Sequence, residues 1–288
     1  MSEVEFGIIG GSGLYKMAGI QDVEEVAVET PFGSPSAAYL VGSLAGRRVA
    51  FLPRHGPHHS LSPTEINYRA NIFGFKKLGV QRLLSASAVG SMQESIAPLD
   101  IVVPDQFIDR TRHRPDTFFS DGIVAHVSLA GPFCPQLAEQ AVSAAAGVDV
   151  RLHQGGTYLC MEGPQFSTRA ESNLYRSWNV SVIGMTNLQE ARLAREAEIC
   201  YLTLALVTDY DCWRQGDAVD VEEILSNLKH NAIHAASILA GVVAGAARQR
   251  SCSCGEALAS AILTRRSAIP AATRERLALL VQHRLPTS

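Results

Sequence analysis

The 288-residue sequence predicts a single α/β domain, a mixed central β-sheet flanked by helices, and two observations carry that prediction. Short apolar runs alternate with helical patterns along the chain, the order that builds a mainly parallel or mixed sheet covered on both faces. A composition of 47% hydrophobic and 18% charged residues supplies the core such a domain needs. The composition turns polar at QRSCSCGE, after Arg248. The expected organisation is therefore a domain over 1–248 and a helical tail over 249–288, packed on or near it.

The elements follow in order. A strand over 4–9 runs into a glycine cluster. Strands over 36–43 and 47–53 read as a hairpin across Leu44-Ala45-Gly46. SPTEINYRANIFGFKKLG predicts a helix over 62–79, with Ser62 as cap, Pro63 at the first helical position, Glu65 completing a capping box and Gly79 closing the end. Further strands are expected over 80–87, 100–103, 155–161, 180–185 and 199–208, with a helix framed by Asn187 and Glu190 and running through Ala197. A long helix over 219–247 places Val221, Ile224, Leu225, Leu228, Ala232 and Ala235 on one face, and Gly241 and Gly245 suit close helix packing. The tail offers helical stretches over 255–264 and 270–284.

Several functional classes fall away. A formal charge of −3 gives no reason to expect nucleic acid or an anionic membrane as partner. The opening MSEVEFGIIG carries acids where an export signal carries basic residues, so a cytoplasmic location is expected. AASILAGVVAGAA would span about 20 Å as a helix, short of the roughly 30 Å of a bilayer core. The six cysteines, at 134, 160, 200, 212, 252 and 254, lack zinc-ligand spacing, and no metal is expected. The first four read as reduced core thiols. Cys252 and Cys254 are expected in an exposed polar tail, where a redox pair and a bystander pair both stay open.

The chemistry-bearing segments cluster at strand ends. In FGIIGGSGLY, glycines let backbone N–H groups converge on an anion and Ser12 adds a hydroxyl; a ligand-free glycine turn is the plain alternative. A dinucleotide fingerprint fits poorly, because Lys16 falls at its third glycine position. PRHGPHHS offers Arg54, His55, His58 and His59. An anion suits them better than a metal, since no carboxylate or cysteine lies close in sequence; an exposed basic turn is the alternative. SASAVGS places Ser87 and the backbone N–H near Ala88 at a strand's carboxyl end, where open α/β sheets collect ligands. Phe166 offers a flat face and Thr186 a hydroxyl at two further strand-to-helix junctions. In TDYDCW, an extended chain turns Asp209 and Asp211 to one side. Two adjacent acids beside apolar neighbours keep a proton more readily, which suits a general acid; an Asx-turn is the alternative.

In this order, GIIGGSGLY, LPRHGPHH, SASAVGS, PLDIVVPDQFIDRT, PFCP, MEGPQFSTRAES, GMTNLQEARLARE and VTDYDCW closely resemble the 5′-methylthioadenosine phosphorylases, in the trimeric branch of the purine nucleoside phosphorylase family. The resemblance covers 4–247. It implies a nucleoside phosphorylase fold, a homotrimer, phosphate as co-substrate without metal or organic cofactor, and a purine nucleoside as small-molecule partner. It places Ser12, Arg54, His55, Ser87, Ala88 and Thr186 at phosphate, Phe166 and Ser167 beside the base, and Met185 under the ribose. Asp209 and Asp211 fall at the purine edge as the catalytic acids, Asp209 as proton donor to N7 and Asp211 as its partner in choosing a 6-amino purine, or with those two roles exchanged. Val221, Ile224 and Leu225 fall at the 5′ substituent, with His126 entering from a neighbouring subunit. Ser12 and Ser87 stand where threonine is common in the family. Leu188-Gln189-Glu190 stands where a proline precedes the glutamate, which bears on the loop carrying Thr186. A 6-oxopurine or methylthioinosine phosphorylase is the alternative activity. A nicotinamide-dependent oxidoreductase and a non-catalytic binding protein are the rivals from other classes.

Overall fold

The computed structural model describes residues 4–14, 17–214 and 221–285; the side chain of Val221, and with it that part of the predicted 5′ pocket, lies outside the described residues, as do the first two residues of the helix expected over 219–247. The chain forms β1 (Phe6–Gly10), β2 (Gln21–Val26), β3 (Tyr39–Leu44), β4 (Arg47–Pro53) and α1 (Tyr68–Lys77). Next come β5 (Arg82–Ser91), β6 (Ile101–Val103), β7 (Gln106–Arg110), α2 (Pro135–Ala145), β8 (Leu152–Gln154) and β9 (Thr157–Met161). The rest is α3 (Arg169–Ser177), β10 (Val182–Gly184), α4 (Asn187–Glu196), β11 (Cys200–Asp209), α5 (Val221–Gly245), α6 (Ala271–Arg276) and α7 (Ala278–Val281).

The strands join one mixed sheet in the order β2-β3-β4-β1-β5-β10-β9-β7, with β11 pairing on β5 and β6, and β8 on β6. β4, β1, β5 and β11 run parallel, so their carboxyl ends share one edge. Apolar side chains cover both faces: one layer joins Ile72, Phe75, Leu193 and Ala194 from α1 and α4, the other Leu137, Ala141, Ile238 and Val242 from α2 and α5. A Cβ at Gly241 would stand 2.8 Å from that of Ala144, so α5 rests directly on α2 there, as expected of that glycine. Nothing comparable approaches Gly245. The hairpin between β3 and β4 turns at Ala45 and Gly46, both at positive φ, in the two-residue geometry that suits strand twist. No helix among the described residues is long and apolar enough to cross a membrane.

Local signals misplace several boundaries. The helix expected over 62–79 begins only at Tyr68, where Asn67 accepts from the Ala70 amide. Ser62 and Glu65 do bond as a capping pair, Ser62 N and Oγ donating to Glu65 Oε2 at 3.0 and 2.6 Å, but they close a separate turn. Residues 36–38 are not strand; Ser36 N instead donates to Asn71 of α1 at 2.8 Å. β2 escapes a hydrophobic reading because it is an exposed, acidic edge strand. α3 does carry a local signal, a full capping box from Thr168 and Glu171.

The tail packs on the domain, although not wholly as the helices expected. Residues 255–264 are not a helix: a 3-10 turn over Ser253–Glu256 leads to a bridge between Ala125 and Ile262. Leu258, Ile269, Leu277 and Leu280 enter the core layer of α1 and α4. Glu198, in the turn between α4 and β11, accepts from Leu258 N, His283 Nε2 and Arg284 Nη2 at 3.0, 2.6 and 2.7 Å, and so anchors the tail. Cys254 is buried and Cys252 half-buried, which corrects the expectation that both lie exposed.

Candidate active site

The shared carboxyl edge of β4, β1, β5 and β11 opens into a 510 Å³ cavity lined by Ser12, Arg54, His55, Ser87, Ala88, Phe166, Met185, Thr186, Asp209, Asp211, Ile224 and Leu225. Its floor depends on two glycines. A Cβ at Gly11 would stand 2.5 Å from Arg54 Nη1, and one at Gly13, where φ is +80°, would stand 2.7 Å from Leu228 of α5. No larger residue lets the turn sit between the guanidinium and the helix.

Arg54 is almost wholly buried and held from several sides. Nε and Nη2 donate to Glu190 at 2.7 and 3.3 Å, Nη1 to Ala86 O at 2.8 Å, and Nη2 also to Ser85 Oγ at 2.5 Å. Burial works against its charge, and the Glu190 carboxylate more than offsets this, so its pKa is raised. Of five N–H groups, four are engaged, leaving one on Nη1 for a ligand. The planar fork that suggests a bidentate phosphate grip is thus largely closed on Glu190.

His55 Nδ1 lies 2.8 Å from Leu61 O. A carbonyl only accepts, so Nδ1 carries the proton. Burial first, and the Arg54 charge second, push its pKa down to about 4. The ring is neutral near pH 7 with Nε2 as an acceptor, stacked 4.3 Å from His59. Thr186 is buried and precedes α4, yet its side chain makes no capping bond. Its hydroxyl lines the cavity at the N-terminus of α4, the end of a helix dipole that favours an anion. The loop holding Thr186 is braced beside Leu188-Gln189-Glu190: Gln189 accepts from Arg114 Nη1 at 3.2 Å, and Arg114 Nη1 also donates to Met185 O at 2.5 Å.

The two acids line the same cavity. The chain does not stay extended through them: β11 stops at Asp209, and Asp211 adopts a positive φ of 53°. Both still face the cavity, because Asp209 Oδ1 folds over to accept from Asp211 N at 2.7 Å. The Asx-turn thus forms, and it leaves both acids on the cavity wall. Thr208 Oγ1 donates to Asp209 Oδ2 at 2.7 Å. Burial raises the pKa of Asp209, and burial together with the Asp209 charge pushes Asp211 from 3.8 to about 6. Oδ2 of Asp211 is buried without a hydrogen-bond partner in the described structure.

Two expected residues, Ser167 and the His126 expected from a neighbouring subunit, are not among this chain's own cavity lining. The Ser167 side chain lies outside the cavity lining, its Oγ 3.7 Å from Met161 Sδ. His126 lines a separate 760 Å³ cavity beside Phe133 and Cys134. His59, one of the histidines offered by PRHGPHHS, lines the cavity; residues not anticipated are Thr208 and Lys229 on the cavity wall, and Glu190 behind it. Glu190 read from sequence as a helix-start residue, and nothing local pairs it with Arg54, 136 positions away.

A family model described as the phosphorylase superfamily matches residues 5–244. The S-methyl-5′-thioadenosine phosphorylase of Koribacter versatilis is 58% identical, over 97% of this chain and 96% of its own. That of Thermosynechococcus vestitus is 60% identical, over 96% and 98%. The crystal structure of a methylthioadenosine phosphorylase from an antarctic soil metagenomic library superposes with a TM-score of 0.92 at 49% identity, covering 97% of this chain and 99% of that one. A methylthioadenosine phosphorylase from Schistosoma mansoni in complex with adenine gives 0.81 at 35% identity, covering 84% and 91%.

Proposed function

The chain belongs to the phosphorylase superfamily, and from that premise we propose how its cavity works. The reaction is phosphate-dependent cleavage of the N-glycosidic bond of 5′-methylthioadenosine, giving adenine and 5-methylthioribose 1-phosphate. The observation that carries the assignment of roles is the convergence of anion donors and protonatable acids on one cavity.

Phosphate is held by the free Nη1 N–H of Arg54, the hydroxyls of Ser12, Ser87 and Thr186, and backbone N–H groups near Ala88 and at the start of α4. His55 Nε2 accepts the hydroxyl proton of monohydrogen phosphate and so turns a bare oxygen toward C1′. Phe166, 54% exposed, stacks on the base, and Met185 underlies the ribose. Adenine leaves poorly as an anion. Asp209, half-buried and reachable from the cavity, delivers a proton to N7 as the ribose acquires oxocarbenium character. The unpartnered Oδ2 of Asp211 accepts from the 6-amino group, whereas a 6-oxo group would confront it with a second acceptor. Ile224 and Leu225 favour a methylthio over a hydroxyl group at the 5′ position.

The enzyme acts in the cytoplasm as a homotrimer, with no metal or organic cofactor in the reaction. Val124 and Leu263, 49% and 65% exposed, flank the bridge beside His126 and support a subunit contact there. Light scattering on the eluting protein, giving three copies, tests the assembly; a monomer that turns over fully refutes it. The deciding assay compares methylthioadenosine, methylthioinosine, adenosine and inosine, each with and without phosphate. Adenine release from methylthioadenosine must require phosphate and exceed release of hypoxanthine from the 6-oxo analogues. Release independent of phosphate identifies a hydrolase instead.

A further inference from the structure

Outside the catalytic cavity, the fold assembles a second cluster of chemically matched groups. Cys134 caps the start of α2, Cys200 begins β11, and Cys252 and Cys254 bracket the first residue of the 3-10 turn in the tail. Their four sulfur atoms all lie within 4.8 Å of one another, and Cys200 Sγ stands 3.3 Å from Cys252 Sγ. We propose that Cys134, Cys200, Cys252 and Cys254 form a structural tetrathiolate site for one zinc ion, which clamps the C-terminal tail to the sheet.

The geometry is what a single shared centre requires. Four ligands at a Zn–S distance of about 2.3 Å stand roughly 3.8 Å apart around a tetrahedron. Disulfides need S–S contacts near 2.05 Å taken two at a time, and they impose no reason for every thiol to lie close to the other three. Buried thiols offer one another only weak hydrogen bonds, so packing alone gains little from gathering four of them. Three of the four are buried and the fourth is half-buried, the water-poor setting of a structural site.

The surroundings fit as well. Zinc binding replaces the ion's aqua ligands by four Zn–S bonds and sends up to four thiol protons to solvent, leaving a centre of net charge −2. Arg250 Nη1 lies 3.9 Å from Cys200 Sγ, and Arg195 lines the same cavity as Cys134 and Cys254, so positive charge stands ready to balance it. The 760 Å³ cavity that reaches Cys134 and Cys254 also presents Glu139 and Glu256, which gives a hydrated cation a route in. None of the four cysteines lines the catalytic cavity. The site therefore holds the tail without touching the reaction. Neither Cys-x-Cys nor two isolated cysteines announces such a site in sequence, which is why the expected spacing was missing.

The test uses the full chain, expressed with zinc supplied and purified without chelator or reductant. Elemental analysis is expected to find about one zinc per chain, and all six cysteines should titrate as thiols once the protein is denatured. Replacing zinc with cobalt should give the visible absorption of a tetrahedral cobalt thiolate. Cys252→Ser combined with Cys254→Ser should lose the metal and lower Tm, while phosphorolysis at room temperature stays within about twofold. Should that variant fail to fold, zinc content, the cobalt spectrum and the fall in Tm on chelation of the parent protein still decide the question. A metal-free protein with six free thiols overturns the proposal, as does one in which two or four thiols are missing as disulfides.

Discussion

Glu190 and Asp211 are both acids buried at the active-site edge of the sheet, 2% and 4% exposed, and they are built in opposite ways. Glu190 accepts from Arg54, Ser85, Asn187 and Tyr201, so a full cation and three neutral donors surround it. Asp211 has acids as its charged neighbours, the Ser172 hydroxyl only partly offsets its burial, and among the described residues its Oδ2 has no hydrogen-bond partner. A buried charge that is closed on all sides holds structure. One left open stores the capacity to bind a proton or a substrate N–H. The comparison divides this site into a rigid frame, Glu190 with Arg54, and a poised pair, Asp209 with Asp211.

The sharpest break in that division is Asp209→Asn. It should reduce kcat/KM for methylthioadenosine by roughly 10²–10⁴, improve relative tolerance of 6-oxopurines, and leave Tm unchanged or higher. Full activity in steady-state assays would remove the general-acid role of Asp209. Glu190→Ala acts on the frame: stranding a buried guanidinium should cost about 3–5 kcal/mol in urea unfolding and weaken phosphate binding with it. An unchanged unfolding midpoint would mean that the pair is not closed as described.

Asp211→Asn should do the reverse of Glu190→Ala and stabilise the protein while impairing it. Because the folded pKa is raised, from 3.8 to about 6, the ionised acid opposes folding above pH 6, and this penalty fades as pH falls through 6 and is gone below 3.8. The variant should gain on the order of 3 kcal/mol at pH 8 and little at pH 4, as read from denaturation at the two values. A gain that does not depend on pH would show that Asp211 is not the group responsible. The smallest effect is expected for Thr186→Val. Since the hydroxyl caps no helix, KM for phosphate should rise about tenfold while Tm moves by no more than a degree or two. A large fall in Tm would return Thr186 to the frame.

How far the site was legible follows the range of the interactions involved. Ser12, Arg54, Ser87, Thr186 and the two aspartates could be picked out because each sits where an apolar run gives way to small or polar residues. Glu190 could not, since its meaning comes from a partner 136 residues away. The helix start at Asn67 rather than Ser62 shows the same limit at short range. Two capping signals compete there, and Asn67 also donates to Phe32 O at 2.7 Å, a contact outside any local window.

From the sequence alone come the alternation of strands and helices, the glycine turn after the first strand, the tight hairpin at Ala45-Gly46, and the residue types gathered at strand ends. All of these rest on periodicity and turn chemistry, which act over a few residues. Tertiary structure alone decided that Arg54 leaves one N–H for a ligand, that burial pushes the Asp211 pKa up to about 6, and that four cysteines spread from 134 to 254 bring their sulfur atoms within 4.8 Å of one another. Burial, charge neutralisation and ligand geometry depend on what packs against a group, and packing is set by residues that meet only when the sheet has formed.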